Sequence, residues 1–211
     1  MIKPLDLRCY LVTSGADQRT VDVAAAAAAA GAGVVQVRSK QLSARALLEL
    51  TLRVAAAVAA ANPATRVVVD DSCEVAWTAM RDGAHVHGVH LGQDDLPIPA
   101  ARELLGPDAI IGLTTGTLEL VQDAEQHARL LDYLGAGPFR PTPTKDSGRP
   151  ALGVEGYQPL VAASSLPIVA IGDVTPNDVP ALAQTGIAGV AIVRAIMAAA
   201  DPAAVVKQVL T

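Results

Sequence analysis

Eight times along the chain, a short apolar or β-branched run is followed by an alanine- or leucine-rich amphipathic stretch. The runs fall at 8–12, 34–38, 66–70, 88–91, 110–114, 133–137, 168–171 and 189–193, and the helical stretches at 20–30, 43–61, 74–80, 98–105, 118–130, 157–163, 176–184 and 202–210. Runs that are apolar almost throughout suit a parallel sheet covered on both faces. Eight such units in 211 residues predict an α/β fold, a single-domain (β/α)8 TIM barrel over residues 1–211. The alternative, an open doubly wound sheet, usually has fewer strands and a glycine-rich first turn. The first turn here, Thr13-Ser14-Gly15-Ala16-Asp17, has no GxGxxG.

Local punctuation agrees with this division. Thr175-Pro176-Asn177-Asp178 supplies a capping threonine, a proline at the first helical position and an acid in the first turn. Gly31 and Gly33 close the first helix, and Asn62-Pro63 stops the second.

Composition narrows the function. Hydrophobic residues make up 51% and charged ones 18%, which excludes a disordered chain. A net charge of −5, with no basic stripe interleaved with aromatics, argues against a nucleic-acid partner. No stretch reaches the length of a membrane span, so no membrane partner is expected either. Cys9 and Cys73 show no CxxC or zinc spacing, and residues 1–10 have no leader-like apolar core. A cytoplasmic protein with reduced cysteines is expected, and a homo-oligomer is left open.

In a barrel, chemistry sits where the strands end. Gln36, Arg38 and Lys40 alternate, so they share one face of the second strand and its exit. An Arg and a Lys two residues apart suit a diphosphate. Asp70-Asp71 end the third strand and Gly92-Gln93-Asp94-Asp95 follow the fourth. Asp71 and Asp95 on adjacent strand ends form an oxygen site for Mg2+, with Asp94 as the alternative to Asp95. Thr114-Thr115 end the fifth strand. The sixth runs into Gly135-Ala136-Gly137-Pro138-Phe139-Arg140-Pro141-Thr142-Pro143-Thr144-Lys145, a proline-threaded loop with two hydroxyls and a lysine. Gly172 and the loop after strand eight match the usual barrel phosphate site, but Asp173 puts a negative charge there, which Arg194 can neutralise. His85, His87 and His90 lack zinc-site spacing; His90 reads as a rim residue, the other two as loop.

With these motifs in order, essentially the whole chain resembles the thiamine-phosphate synthase family. The carriers are Gln36-Val37-Arg38-Ser39-Lys40, Asp70-Asp71, Gly88-Val89-His90-Leu91-Gly92-Gln93-Asp94-Asp95, Ile111-Gly112-Leu113-Thr114, Asp132-Tyr133-Leu134-Gly135-Ala136-Gly137-Pro138, Pro141-Thr142-Pro143-Thr144-Lys145 and Val169-Ala170-Ile171-Gly172. The resemblance implies a Mg2+-dependent transferase that condenses 4-amino-2-methyl-5-hydroxymethylpyrimidine diphosphate with thiazole phosphate, giving thiamine phosphate and pyrophosphate. By the same resemblance Arg38, Lys40 and Lys145 hold the diphosphate, with Thr114 also in the catalytic set. Asp71 and Asp95 ligate Mg2+. Gln36 and Asp70 lie near the pyrimidine. Thr142, Thr144, Gly172, Asp173, Val193 and Arg194 lie around the thiazole phosphate. Its small-molecule substrates are the implied partners. A thiazole tautomerase-like paralogue and a catalytically weak binding protein for a thiamine precursor are the competing readings.

The chain departs from the family's pattern at four places. Asp70 stands where an asparagine is usual, Thr114 for a serine, Asp173 for a second glycine and Arg194 for a serine. The last two are expected to be one event, with Arg194 pairing with Asp173 and turning its remaining donors to the thiazole phosphate. Residues 81–87 are expected to be a loop extension to which the sequence assigns no role, and Arg140 a solvated or supporting charge.

Overall fold

A computed structural model describes residues 5–141 and 148–211. Eight strands, β1 (Cys9–Val12), β2 (Val34–Val37), β3 (Arg66–Asp70), β4 (Gly88–Leu91), β5 (Ile110–Thr115), β6 (Tyr133–Ala136), β7 (Ile168–Ile171) and β8 (Gly189–Ile192), close into a barrel in chain order. Every pair is parallel, and β8 returns to β1 with Tyr10 opposite Ala191. The expected (β/α)8 TIM barrel is therefore what forms.

Outside it lie α1 (Gln18–Ala29), α2 (Ala44–Ala61), α3 (Cys73–Arg81), α4 (Ile98–Leu105), α5 (Leu118–Glu125), α6 (Tyr157–Ala162), α7 (Val179–Ala183), α8 (Arg194–Met197) and α9 (Pro202–Leu210). Side chains start several of them. Asp17 accepts from Thr20 N at 3.1 Å, Thr117 from Leu120 N at 3.2 Å, and Asp201 from Ala204 N at 3.0 Å. Asn62 ends α2 in an extended conformation before Pro63, as expected. No helix among the described residues is long and apolar enough to cross a membrane.

Three stretches differ from the sequence reading. The helix expected over 118–130 ends at Glu125, and a separate 3-10 turn, Ala128–Leu130, follows. Arg102 binds the Leu130 carbonyl at 2.8 Å and Asp132 at 3.0 Å, holding the chain as it turns into β6. The helix expected over 176–184 opens as a 3-10 turn, Pro176–Asp178, because Pro180 has no N–H to continue the α-helical ladder back to Pro176. The run expected over 189–193 ends at Ile192, and Arg194 lies in no loop. It begins the short α8, in which Val193 O accepts from Met197 N at 2.9 Å.

The core has two layers. Leu11, Val35, Val37, Val67 and Val69 face outward against the helices, where the alanines of α1 allow close approach. Tyr10, Val12, Val34, Val68, Tyr133 and Val169 face inward. The inward parity carries on to Gln36, Arg38, Asp70, His90 and Thr114, which line a cleft at the C-terminal mouth of the barrel. The same period of two that fills the interior thus delivers polar side chains to one rim.

Candidate active site

The second strand places its alternating residues as expected. Gln36 is buried inside the barrel, and its Nε2 donates to Tyr10 Oη at 2.8 Å. One layer higher, Arg38 sends Nε to within 3.3 Å of Asp70 Oδ2. Its backbone N–H donates to Thr13 Oγ1 at 3.0 Å, which fixes the strand exit. Lys40 lies 3.5 Å from Asp70 and forms an ion pair with Asp71. Burial opposes the charge on Lys40, but its hydrogen bond to Asp71 and the charges of Asp70 and Asp71 outweigh it, and its pKa is raised. Asp70 is thus held between two cations, an acceptor where the family's asparagine is an amide.

Asp71 adopts a left-handed conformation, φ 62°, that turns it toward the end of β4. There Asp95, not Asp94, is the carboxylate that meets it. Asp95 accepts from Gly92 N at 2.6 Å. Its pKa is raised by burial first, and also by its contact with Asp71 and that group's charge. An ideal Cβ on Gly92 would stand 2.9 Å from Asp95 Oδ2 and 3.9 Å from Asp71 Oδ1. The strand end is therefore bare beside two crowded carboxylates, which an oxygen-seeking divalent cation would relieve. Among the described residues no group of three or more His, Cys, Asp or Glu converges on a metal. The pair suits Mg2+, which commonly takes one or two carboxylates and completes its shell with phosphate oxygens and water.

The opposite side of the rim is built on backbone. Gly172, φ 108°, lets the end of β7 pass so close to the chain leaving β6 that a Cβ would come within 2.6 Å of Pro138 Cα. Asp173, φ 57°, pairs with Arg194, as expected from their joint departure. Val193 lies beside them in the lining. Arg140 is more than a solvated charge. It donates to the Asp173 carbonyl at 2.9 Å and to Asp178 at 3.0 Å, and its guanidinium lies over the Phe139 ring. Asp178 in turn accepts from Thr175 N and Oγ1, each at 2.8 Å. Thr142, Thr144 and Lys145, the expected phosphate and pyrophosphate ligands of the loop after β6, lie outside the described residues.

Sequence reasoning missed two features. His90 lines the cleft as expected but is buried at its floor, with Nδ1 3.0 Å from Tyr133 Oη and Nε2 2.9 Å from Thr114 Oγ1, contacts that were not foreseen. Its inward parity with Asp70 and Thr114 was the available signal. Arg149 reaches the cleft and donates to the Thr115 carbonyl at 2.5 Å. It had no motif to mark it. Residues 81–87 also have work at the other end of the barrel. His85 Nε2 lies 2.9 Å from the Thr65 carbonyl, and His87 Nδ1 accepts from Val67 N at 3.1 Å. Burial, with the His85 and Arg66 charges, lowers His87 to about 4, so it stays a neutral acceptor. The cysteines are placed for packing: burial pushes Cys9 up to about 12 and Cys73 to about 11.

A parallel barrel whose mouth carries clustered cations, paired carboxylates and a glycine-paved strand end has the (β/α)8 architecture of an enzyme, with a charged mouth that suits anionic ligands. Comparisons sharpen that class. Residues 9–196 match the family model described as thiamine monophosphate synthase. A thiamine-phosphate synthase of Corynebacterium jeikeium is 62% identical over 211 residues, covering 100% of this chain and 96% of that protein. One of Corynebacterium efficiens is 58% identical over 207 residues, covering 98% and 94%. Among solved structures, a thiamine phosphate pyrophosphorylase from Pyrococcus furiosus superposes with a TM-score of 0.83 at 29% identity, covering 98% of this chain and 95% of that one. The chain belongs to the thiamine monophosphate synthase family. It is an enzyme, a transferase of thiamine biosynthesis.

Proposed function

We propose that the chain, acting as one catalytic domain over residues 1–211 in the cytoplasm, joins 4-amino-2-methyl-5-hydroxymethylpyrimidine diphosphate to thiazole phosphate. The products are thiamine phosphate and pyrophosphate. The observation that carries this reading is the connected row Arg38–Asp70–Lys40–Asp71–Asp95 across three strand ends, whose Arg38 and Asp70 line one cleft with Gly172 and Arg194. A tautomerase moving protons on a thiazole has no use for such a diphosphate clamp.

The chemistry asked of the protein is charge stabilisation and positioning. The bond from the pyrimidine methylene carbon to the diphosphate oxygen breaks, and its electron pair leaves with pyrophosphate. Arg38 and Lys40 meet the charge that grows there, an effect worth most in a cleft that excludes water. Lys40 reaches it by exchanging Asp71 for the leaving group. Asp71 and Asp95 would hold Mg2+, which supplies further neutralisation of pyrophosphate. The methylene cation is stabilised by its aminopyrimidine ring. The thiazole nitrogen, held in line by its phosphate at Gly172, Asp173, Val193 and Arg194, attacks it with its lone pair. No proton moves and no protein nucleophile is required. Thr142, Thr144 and Lys145 complete the two phosphate sites in this reading.

The test is incubation with both substrates and Mg2+, following pyrophosphate and thiamine phosphate together. Equal release of both is expected. Pyrophosphate without thiamine phosphate would make the chain a hydrolase, and neither product would remove the synthase reading.

A further inference from the structure

The barrel interior holds a row of buried polar groups that the reaction above does not use. Gln36 Nε2 donates to Tyr10 Oη at 2.8 Å. Tyr10 Oη and Tyr133 Oη are 2.7 Å apart, Tyr133 Oη is 3.0 Å from His90 Nδ1, and His90 Nε2 is 2.9 Å from Thr114 Oγ1. The row crosses the barrel from β2 through β1, β6 and β4 to β5.

Space is reserved for it. An ideal Cβ on Gly112 would fall 2.2 Å from the Tyr133 ring and 2.6 Å from His90 Nδ1. One on Gly135 would fall 3.0 Å from His90 Cε1. The His90 and Tyr133 rings stack with centroids 5.5 Å apart. An all-apolar interior would pack at less risk, because a partly satisfied buried network is costly.

Proton counting gives the row a direction. A phenol carries one proton, and a neutral imidazole one. With Gln36 donating to Tyr10, the arrangement that leaves no buried phenol proton unpaired has Tyr10 donating to Tyr133 and Tyr133 to His90 Nδ1. A neutral His90 in that arrangement carries its proton on Nε2 and gives it to Thr114 Oγ1. Burial first of all raises the pKa of both phenols, so neither loses its proton near neutrality. The two ends then differ. Gln36 is left with its carbonyl oxygen, and Thr114 with its hydroxyl proton, to offer a ligand; both residues line the cleft.

We propose that Tyr10, Tyr133 and His90 are positioning residues that set the hydrogen-bond polarity of Gln36 and Thr114, and so select a ring with a donor on one edge and an acceptor on the opposite edge. This rests on the function proposed above. A 4-aminopyrimidine has that pattern, with an exocyclic amine for Gln36 and an unprotonated ring nitrogen for Thr114. The 4-oxo ring places an acceptor where the amine was, facing the Gln36 oxygen, and is refused. A site committed to one hydrogen-bond pattern rejects the analogue that leaves its groups unpaired.

Two measurements decide it. Long-range proton–nitrogen NMR of the 15N-histidine enzyme without substrates reads His90, identified by the signals lost in His90→Asn. A bare Nδ1 and a protonated Nε2 are expected; a protonated Nδ1 overturns the direction of the row, whatever the enzyme's activity. Second, kcat/KM for the 4-amino and 4-oxo pyrimidine diphosphates is compared in the wild type and in Tyr133→Phe, which keeps the ring and breaks the row. The preference for the amino substrate is expected to fall roughly tenfold, with KM for thiazole phosphate unchanged. An unaltered preference overturns the proposal. Tyr10→Phe, which frees the Gln36 amide to turn, carries the same expectation if Tyr133→Phe does not fold. A wild type that makes no thiamine phosphate removes the synthase reading alone, since the tautomer is read without turnover.

Discussion

On one side of the rim, at the ends of β2, β3 and β4, the charged side chains Arg38, Lys40, Asp70, Asp71 and Asp95 touch one another. On the other, at the ends of β6, β7 and β8, glycine backbone does much of the work. There the Asp173–Arg194 pair is braced from behind by Arg140, Asp178 and Thr175. The first arc can exchange its internal partners for a ligand. The second offers Gly172 as a close approach and spends most of its ion pairs on holding its own loops. That difference suits an enzyme that must release one phosphorylated group and merely anchor another.

The largest effect should therefore come from the first arc. Lys40→Ala is expected to lower kcat by about a hundredfold or more, the scale of losing one donor aimed at developing charge. KM for thiazole phosphate should barely change. Steady-state kinetics with each substrate varied in turn checks this. A loss confined to KM would erase the distinction between the arcs. Asp71→Asn should reduce activity to a similar degree and raise the Mg2+ concentration needed for half-maximal rate.

A smaller effect is expected from Arg194. Arg194→Ser should raise KM for thiazole phosphate roughly tenfold, the cost of a charge-assisted hydrogen bond, while kcat stays within a few-fold. In Asp173→Gly/Arg194→Ser much of that loss should return, because the carboxylate that Arg194 neutralises has gone and glycine accepts the positive φ at that position. Additive losses in this cycle would mean that the pair is decoration on the rim.

How far each arc was legible from sequence follows from the same contrast. The first arc is written in side chains at strand parity, so Gln36, Arg38, Lys40, Asp71 and Asp95 stood out at once. The Asp173–Arg194 pair was legible only through its charges. Arg140 was not, because its partners Asp173 and Asp178 lie 33 and 38 residues on, and no local pattern joins them. The strands were readable nearly to the residue, since a buried parallel sheet leaves apolar runs. The helices after β5 and β7 were overrun because the Arg102 contacts to Leu130 and Asp132, and the N–H that Pro180 lacks, are not registered by periodicity. His90 was read as lining the mouth, which it does, but its bonds to Tyr133 and Thr114, 43 and 24 residues on, follow no local pattern.

The smallest effect expected concerns the brace. Asp178 pays burial, which raises its pKa, but the hydrogen bonds from Arg140 and Thr175 and the Arg140 charge outweigh it, leaving the pKa below the ordinary 3.8. A carboxylate depressed on folding stabilises the native state above its unfolded pKa, and that contribution fades as pH falls through the folded value. Asp178→Asn should therefore cost roughly 1 kcal/mol in urea unfolding at pH 7, and the gap between variant and wild type should narrow below about pH 4. Because Arg140 then loses an anionic partner while keeping the Asp173 carbonyl, KM for thiazole phosphate should rise by less than in Arg194→Ser. A kcat effect from Asp178→Asn as large as that of Lys40→Ala would place this brace in the reaction itself and collapse the division between an arc that exchanges partners and an arc that holds still.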